Sequence, residues 1–221
     1  MRRCKANVLN KEIKICIVDY GMSNLKSVEN AIEKSSNFKA YIGNTPKDIE
    51  KSDIIILPGV GAFDDAMANI KEKDLFHCLN HEVLRNKKPV LAICLGMQII
   101  MESSEESVDN IKGFGWIPGK VLKLSGSEGY RVPHLGWDNI SIKREHEIFS
   151  DIGDNPDFYF LHSYHVDCDQ RYVVATCNYG YEFPVAITKD NISAFQFHPE
   201  KSHSNGLHLL SNYLKNTKKK L

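Results

Sequence analysis

Residues 89–98 read Pro89-Val90-Leu91-Ala92-Ile93-Cys94-Leu95-Gly96-Met97-Gln98 and change in character at their centre. The run 90–93 is short and apolar and follows the polar segment 85–88, which is typical of a buried strand. A helical pattern begins at Leu95. Cys94 therefore stands at a strand-to-helix corner.

The residues two positions before and after Cys94 are small, Ala92 and Gly96. Small residues there allow the sharp turn of a nucleophile elbow. Such a turn places the sulfur at the carboxyl edge of the sheet, where open α/β sheets bind ligands. A following helix N-terminus favours the thiolate, and the N–H of Leu95 would point at a developing oxyanion. The local pattern alone also fits a buried core cysteine.

Two further apolar runs, 13–18 and 53–57, precede this strand and also end in turns. Helical patterns separate them, one behind a candidate cap at Ser23 and one behind Thr45-Pro46. A third helical stretch runs to Arg85. Strands that alternate with helices predict an open, mostly parallel sheet with helices on both faces, an α/β fold.

The second half of the chain, from Gly113 onward, is β-rich, with a hairpin turn expected at Asp190-Asn191. The expected strands are 120–124, 139–143, 158–161, 172–176, 185–189 and 192–197. A helix over 206–216 closes the chain. We expect an N-terminal extension at 1–12, one domain at 13–216 and a basic tail at 217–221.

Composition excludes several function classes. The 221 residues include 28 Lys plus Arg and 28 Asp plus Glu, so the basic excess of a nucleic-acid binder is missing. No apolar run approaches the roughly 20 residues that cross a bilayer. The basic start is not followed by an apolar stretch, so no export signal is expected. We therefore expect a cytoplasmic protein with no nucleic-acid or membrane partner.

The six cysteines form no C-x-x-C pair, so we expect no metal site. His162 and His165 are three apart in a β-rich segment, and residues at that spacing face opposite sides of a strand. A metal shared by these two is therefore not expected. Without an export signal the cysteines should be reduced thiols, and most should be core residues.

Residues 194–200 read Ala194-Phe195-Gln196-Phe197-His198-Pro199-Glu200 and offer a base for the thiol. An alternating strand ends at His198, which places the imidazole at a strand edge. Glu200, two residues on in an extended segment, can accept the other imidazole N–H and fix the tautomer. Four other histidines, His77, His81, His203 and His208, are expected at the surface.

A glycine turn, Pro58-Gly59-Val60-Gly61, follows the second strand. Glycines flanking one residue let the backbone bend and present N–H groups to an oxyanion or a phosphate. The turn lacks the Gly-Lys-Ser/Thr of a Walker A motif and the spacing of a dinucleotide fingerprint. Alone it also fits a tight connection before a helix.

Together the glycine turn, Cys94-Leu95-Gly96-Met97-Gln98 and His198-Pro199-Glu200 resemble the class I (triad) glutamine amidotransferases, in order and spacing. The resemblance implies a flavodoxin-like sheet and covers about residues 14–214. The finer pattern is similar to one branch, the glutaminase subunits of imidazole glycerol phosphate synthase. Asp19-Tyr20-Gly21-Met22-Ser23-Asn24-Leu25 and Pro133-His134-Leu135-Gly136-Trp137 carry that finer likeness.

The resemblance implies a role for each matching residue. Cys94 would be the nucleophile, His198 the base and Glu200 its orienting group. The remaining roles are an oxyanion strand at Gly59, Val60 and Gly61 with the Leu95 N–H, substrate contacts at Gln98, Ser163 and Tyr164, and a partner interface at Trp137, Tyr159 and Lys201. It implies L-glutamine as substrate, a (β/α)₈ barrel cyclase as partner in a heterodimer, and no cofactor.

Two residues depart from the family pattern. Ser23 stands where Gly is usual, and Asp138 follows Gly136-Trp137 where Asn is usual. Both lie in segments tied to the partner and neither belongs to the triad. The pathway therefore stays open between histidine biosynthesis and the amidation of a surface-polysaccharide sugar. The same residues also fit a free-standing γ-glutamyl cysteine hydrolase or a non-catalytic scaffold.

We predict that a glutamine-analogue electrophile labels Cys94 and no other cysteine, because only Cys94 combines an elbow with a helix start. Peptide mapping after labelling measures this directly. Label on Cys16, Cys168 or Cys177 would contradict the assignment of the nucleophile.

Overall fold

The fold is seen in a computed structural model that describes residues 12–126 and 129–221. The expected extension 1–12, with Cys4, lies outside the described residues except for Glu12. The strands are β1 Ile15–Val18, β2 Ala40–Gly43, β3 Ile54–Gly59, β4 Val90–Cys94, β5 Ser103–Ser104, β6 Gly119–Lys123, β7 His134–Ile142, β8 Asp157–His162, β9 Tyr164–Cys168, β10 Val173–Asn178, β11 Glu182–Lys189 and β12 Ile192–Phe195.

The helices alternate with the first strands, as the sequence patterns predict. They are α1 Leu25–Ser35, α2 Pro46–Glu50, α3 Phe63–Glu72, α4 Leu75–Asn80, α5 Leu95–Ile99 and α6 His203–Lys220. A π-helical turn, His81–Arg85, extends α4, and 3-10 turns occupy Glu147–Phe149, Gln170–Tyr172 and Pro199–Lys201. None of the helices in the described ranges is long and apolar enough to span a membrane.

Nine of the described strands form one sheet in the order β2-β1-β3-β4-β12-β11-β10-β7-β8. The first five are parallel to one another, and the remainder join antiparallel. The other three strands form a small sheet in the order β5-β6-β9. The expected α/β fold with β-rich additions in the second half is confirmed.

Two hydrophobic cores lie on the two faces of the sheet, because alternate residues of each strand point to opposite sides. One core joins Ile15 and Ile17 of β1 to α1 and α6. The other joins Cys16 and Val18 to α3, α4 and α5. All four residues of β1 are buried, which explains why the central strands are continuous apolar runs.

Strand register brings the three sequence motifs together. Gly59, the last residue of β3, pairs with Cys94, the last residue of β4. On the other side of β4, Ile93 pairs with Phe195 of β12. The glycine turn, the cysteine corner and the segment leading to His198 therefore leave the sheet at one carboxyl edge.

Several local expectations hold. Thr45 caps α2 in a reciprocal capping box with Asp48. β11 and β12 pair as an antiparallel hairpin across Asp190-Asn191.

Other local expectations are wrong. The side chain of Ser23 makes no cap, and the N-cap of α1 is Asn24. β2 and β9 carry no strong sequence signal and are strands that the patterns do not predict.

The terminal helix is longer than the pattern 206–216 predicts, because α6 begins at His203 and continues through Lys220. Thr217 is buried against the domain, while the three lysines after it are exposed. The segment expected as a basic tail is therefore mostly helical. Its lysines lie at the helix C-terminus, where the helix dipole favours positive charge.

We predict that Gly206→Ala destabilises the fold. A Cβ on Gly206 would lie 1.9 Å from the carbonyl oxygen of Pro199, so α6 or the turn before it must move. Overpacking of this kind costs about 1–3 kcal/mol. Gly126→Ala is the control, because a Cβ there meets only ordinary contacts at 3.6 Å and 3.7 Å. Thermal unfolding of both variants measures the effect, and equal midpoints would contradict it.

Candidate active site

Cys94 occupies a strained turn between β4 and α5. Its backbone has φ 53° and ψ −110°, in a region that non-glycine residues adopt only under constraint. Close packing supplies the constraint, since a Cβ on Gly96 would lie 1.9 Å from the carbonyl oxygen of Leu57. The expected elbow is therefore present, and Gly96 is required for it.

The sulfur of Cys94 is nearly buried and lies close to the ring of His198 and to two amide groups. It lies 3.7 Å from the carbonyl oxygen of Leu161 and 3.8 Å from Nε2 of Gln196. The amide of Gln196 is fully buried and can donate to a thiolate. Its Oε1 accepts from Nε2 of Gln98 at 3.3 Å. Gln196 is not among the predicted site residues, since a buried strand residue carries no chemical signature of its own.

His198 and Glu200 form a close pair beside the sulfur. Nδ1 of His198 lies 2.8 Å from Oε1 of Glu200, and both side chains are almost fully buried. The second ring nitrogen, Nε2, is buried and has no hydrogen-bond partner in the described chain. It is therefore available for proton exchange. Glu200 lies in a 3-10 turn that begins at Pro199, and not in the extended segment that the sequence predicts.

The electrostatics favour a charged pair. Burial lowers the pKa of His198, but attraction to the Cys94 sulfur and the Glu200 carboxylate raises it to about 10. A protonated imidazole beside the sulfur favours the thiolate, which is the reactive form of cysteine. Two other thiols are disfavoured as nucleophiles. Burial disfavours their thiolate forms and raises the pKa of Cys16 and Cys177 to about 12.

The central N–H of the glycine turn, that of Val60, is already engaged in a hydrogen bond. The N–H of Val60 donates to the carbonyl oxygen of Met22 at 2.6 Å. Gly61 follows with φ 119°, a conformation that favours glycine. A Cβ on Gly61 would lie 2.4 Å from Cε of Met22, so the turn packs tightly on the loop 19–24.

A cleft of about 260 Å³ opens above the sulfur. Seven of the predicted site residues line it, namely Val60, Gly61, Cys94, Leu95, Gln98, Ser163 and Tyr164. Glu106, Pro133, Leu161 and His162 line it as well, and the sequence patterns do not predict them. Glu106 brings a carboxylate whose Oε2 accepts from the N–H of Phe63 at 2.9 Å. That carboxylate can bind an ammonium group in the cleft.

The three predicted interface residues lie together at the same edge. The ring of Trp137 is 6.0 Å from that of Tyr159, and Nζ of Lys201 lies 5.6 Å from the Tyr159 centroid. The N–H of His198 donates to the carbonyl oxygen of Tyr159 at 2.9 Å. Trp137 is 43% exposed and stacks on His203. This surface is therefore connected directly to the backbone of His198.

A family model for glutamine amidotransferase class-I matches residues 16–217. The chain belongs to the class-I glutamine amidotransferases. The matched region includes the cysteine corner, the glycine turn and the histidine–glutamate pair. Membership makes the chain an enzyme, and the resemblance noted in the sequence is confirmed at family level.

Two relatives are similar over nearly their whole length. Both are named imidazole glycerol phosphate synthase subunit HisH 2. The one from Vibrio vulnificus (strain YJ016) is 45% identical over 91% of this amidotransferase and 94% of the relative. The one from Methanococcus maripaludis is 44% identical over 91% of this chain and 98% of the relative.

Solved structures share the fold of this amidotransferase. PurLQS from Thermotoga maritima has a TM-score of 0.72, with 18% identity over 93% of this chain and 99% of that chain. A structure described as a glutamine amidotransferase has a TM-score of 0.72, with 14% identity over 92% of this chain and 98% of that chain. At such low identity the likeness concerns the fold alone.

We predict that Glu200→Gln lowers the pKa of His198, because the carboxylate is one of the two anions that favour the imidazolium. An NMR titration of the His198 ring measures this. Glu147→Gln is the control, since that carboxylate pairs with Lys220 at 3.0 Å, away from the site. An unchanged His198 titration in Glu200→Gln would contradict the pairing.

The same shift sets a pH window for stability. The pKa of His198 in the folded chain lies above the usual 6.5. The imidazolium therefore stabilises the folded state fully below about pH 6.5, and this contribution is lost as pH rises through about 10.

Proposed function

We propose that the chain is a glutaminase subunit of imidazole glycerol phosphate synthase that acts in the cytoplasm. It hydrolyses L-glutamine to glutamate and ammonia. The ammonia passes to a cyclase subunit, which makes imidazole glycerol phosphate and AICAR in histidine biosynthesis. The observation that carries the proposal is the convergence of Cys94, His198 and Glu200 beside a cleft of about 260 Å³. The names of relatives above 40% identity support the pathway.

The chemistry follows from the three side chains. The Cys94 thiolate attacks the carboxamide carbon of glutamine, and the carbonyl electron pair moves to oxygen. The oxyanion collapses, the C–N bond breaks, and His198 gives its proton to the departing ammonia. Water then attacks the γ-glutamyl thioester with His198 as base, which releases glutamate and regenerates the thiolate. Glu200 holds the imidazole in position throughout.

The cleft can bind the amino-acid end of glutamine. The α-ammonium group of glutamine needs an anion nearby, and Glu106 provides a carboxylate at the cleft wall. Ser163 and Tyr164 also line the cleft, beside Gln98. Nε2 of Gln98 donates to the carbonyl oxygen of Tyr164 at 2.9 Å, so α5 and β9 are tied together there. These contacts select an α-amino acid with a side-chain amide that reaches Cys94.

A partner subunit is needed because free ammonia would be protonated in water and lose its nucleophilic lone pair. A closed passage avoids this by excluding water. The cluster of Trp137, Tyr159 and Lys201 is the proposed docking surface for a (β/α)₈ barrel cyclase. Its link to His198 through the Tyr159 carbonyl oxygen lets docking act on the base.

The oxyanion strand is the proposed switch. With the N–H of Val60 donating to Met22 at 2.6 Å, that donor cannot stabilise an oxyanion at the sulfur. Rotation of the Gly59–Val60 peptide would break this bond and turn the N–H toward Cys94, where the Leu95 N–H is the second donor. The glycines on both sides of Val60 allow the rotation. Docking on the adjacent loop 19–24 would favour it.

We expect the isolated chain to hydrolyse glutamine slowly and a barrel cyclase with its nucleotide substrate to stimulate it. Steady-state glutamate release with and without the cyclase measures this. Cys94→Ala is the control for contaminating glutaminase and should be inactive in both states. Ammonia-dependent synthesis by the Cys94→Ala complex should persist, because only ammonia production is lost.

The same assay separates this function from two rival functions. Full activity without a partner would contradict the subunit proposal and favour a free-standing γ-glutamyl hydrolase. Stimulation by a sugar amidotransferase, but not by the histidine-pathway cyclase, would keep the mechanism and replace the pathway with polysaccharide amidation.

A further inference from the structure

Three potential metal ligands converge on one side of the antiparallel half of the sheet, close to Trp137. They are His134 and Asp138 of β7 and Cys177 of β10. A ring nitrogen of His134, a carboxylate oxygen of Asp138 and Sγ of Cys177 all lie within 4.8 Å of one another. Among the described residues no other cluster of three or more His, Cys, Asp or Glu side chains meets in this way.

We propose that His134, Asp138 and Cys177 bind one divalent transition-metal ion, for which Zn²⁺ is the best chemical match. Nitrogen, oxygen and thiolate sulfur are the donors that zinc combines in proteins. The site is separate from the catalytic triad. The absence of a C-x-x-C pair predicts no metal site, but these donors come from two strands that only folding makes neighbours.

The donor spacing suits a tetrahedral ion. Zinc bonds of about 2.0–2.3 Å at tetrahedral angles place donors roughly 3.3–3.8 Å apart. Nε2 of His134 already lies 3.4 Å from Oδ2 of Asp138. Cys177 needs only a small side-chain movement. Gly136, between the two β7 ligands, adds no side chain, and a Cβ there would meet nothing within 4 Å. Asp138 is partly exposed, which leaves a position for water.

The hydrogen bonds behind His134 orient it as metal ligands are usually oriented. Nδ1 of His162 lies 2.9 Å from the carbonyl oxygen of Tyr164, which can only accept, so that nitrogen carries the proton. Nε2 of His162 is then an acceptor when the ring is neutral. It lies 3.0 Å from Nδ1 of His134, which must donate to it. A metal-binding histidine typically donates its other N–H in this manner.

That hydrogen-bond order leaves a lone pair on Nε2 of His134 facing a carboxylate. Two acceptors that face each other repel unless a proton, a water molecule or a metal ion lies between them, and the nearby sulfur of Cys177 as a third donor favours the metal ion. Oδ1 of Asp138 accepts from the N–H of Asn139 at 2.8 Å, so Oδ2 is the oxygen left for it.

The His134 ring is held in place before any metal binds. It stacks on Tyr179 at 4.0 Å and on Phe160 at 4.5 Å between ring centroids. Metal binding releases one proton, because Zn²⁺ replaces the thiol proton of Cys177 and that H⁺ passes to solvent. The bound ion would join β10 to the part of β7 that carries Trp137.

The test is titration of the full chain with Co²⁺, followed by competition with Zn²⁺. Cys94→Ala is the background variant, so that the catalytic thiol cannot bind metal. We expect a thiolate-to-cobalt charge-transfer band that Zn²⁺ removes. Cys177→Ser should abolish the band. Cys168→Ser, which changes a half-buried thiol on β9, is the matched control and should retain it.

Asp138→Asn is a second variant in case Cys177→Ser does not fold. The substitution is isosteric and position 138 is partly exposed, so the fold should be retained. Loss of second-sphere partners alone weakens metal binding about 10–100-fold, so loss of this ligand should weaken Zn²⁺ binding by at least about tenfold. Thermal unfolding without metal confirms that each variant is folded. A missing band in the background variant, a band that survives Cys177→Ser, or equal Zn²⁺ affinity in Asp138→Asn would overturn the proposal.

Discussion

The turn at Cys94 is the constraint on which the site depends. A residue with a positive φ at the end of a central strand must be held there by its surroundings. The carbonyl of Leu57 leaves no room for a side chain at position 96, so β3 and the start of α5 fix the corner jointly. The packing free energy of the buried strands on either side offsets the strain in the backbone of Cys94. Reactivity at the sulfur is in this sense a product of the core packing.

Much of this arrangement can be read from the sequence, because the decisive features are local. The apolar runs of β1, β3 and β4 bury both faces and carry their own signal. The elbow requires small residues at fixed positions, and the turn of Gly59 and Gly61 requires glycine. Even the pairing of His198 with Glu200 is predictable, although the connecting backbone is a 3-10 turn and not extended.

Other features depend on contacts between distant segments and have no local signature. Gln196 reaches Cys94 across 102 positions of sequence. Glu106 lies in a loop, and its place in the cleft follows from packing against the start of α3. β9 pairs only with β6 in the small sheet, so its burial pattern is mixed. The failed cap at Ser23 shows the same limit, since its hydroxyl is buried without a hydrogen-bond partner in the described chain and Asn24 is the N-cap.

Under the proposed switch, the hydrogen bond from Val60 to Met22 limits how completely the unassembled enzyme is inactive. A neutral hydrogen bond contributes about 0.5–1.5 kcal/mol net, and about 1.4 kcal/mol corresponds to a tenfold population ratio. If peptide rotation is the switch, this one bond can hold back at most about nine-tenths of the molecules. The remainder would consume glutamine without a recipient for the nitrogen. A lower activity in the unassembled subunit would require further contacts in the loop that hold the resting conformation. The packing of Met22 against Gly61 would then set how much glutamine nitrogen is lost.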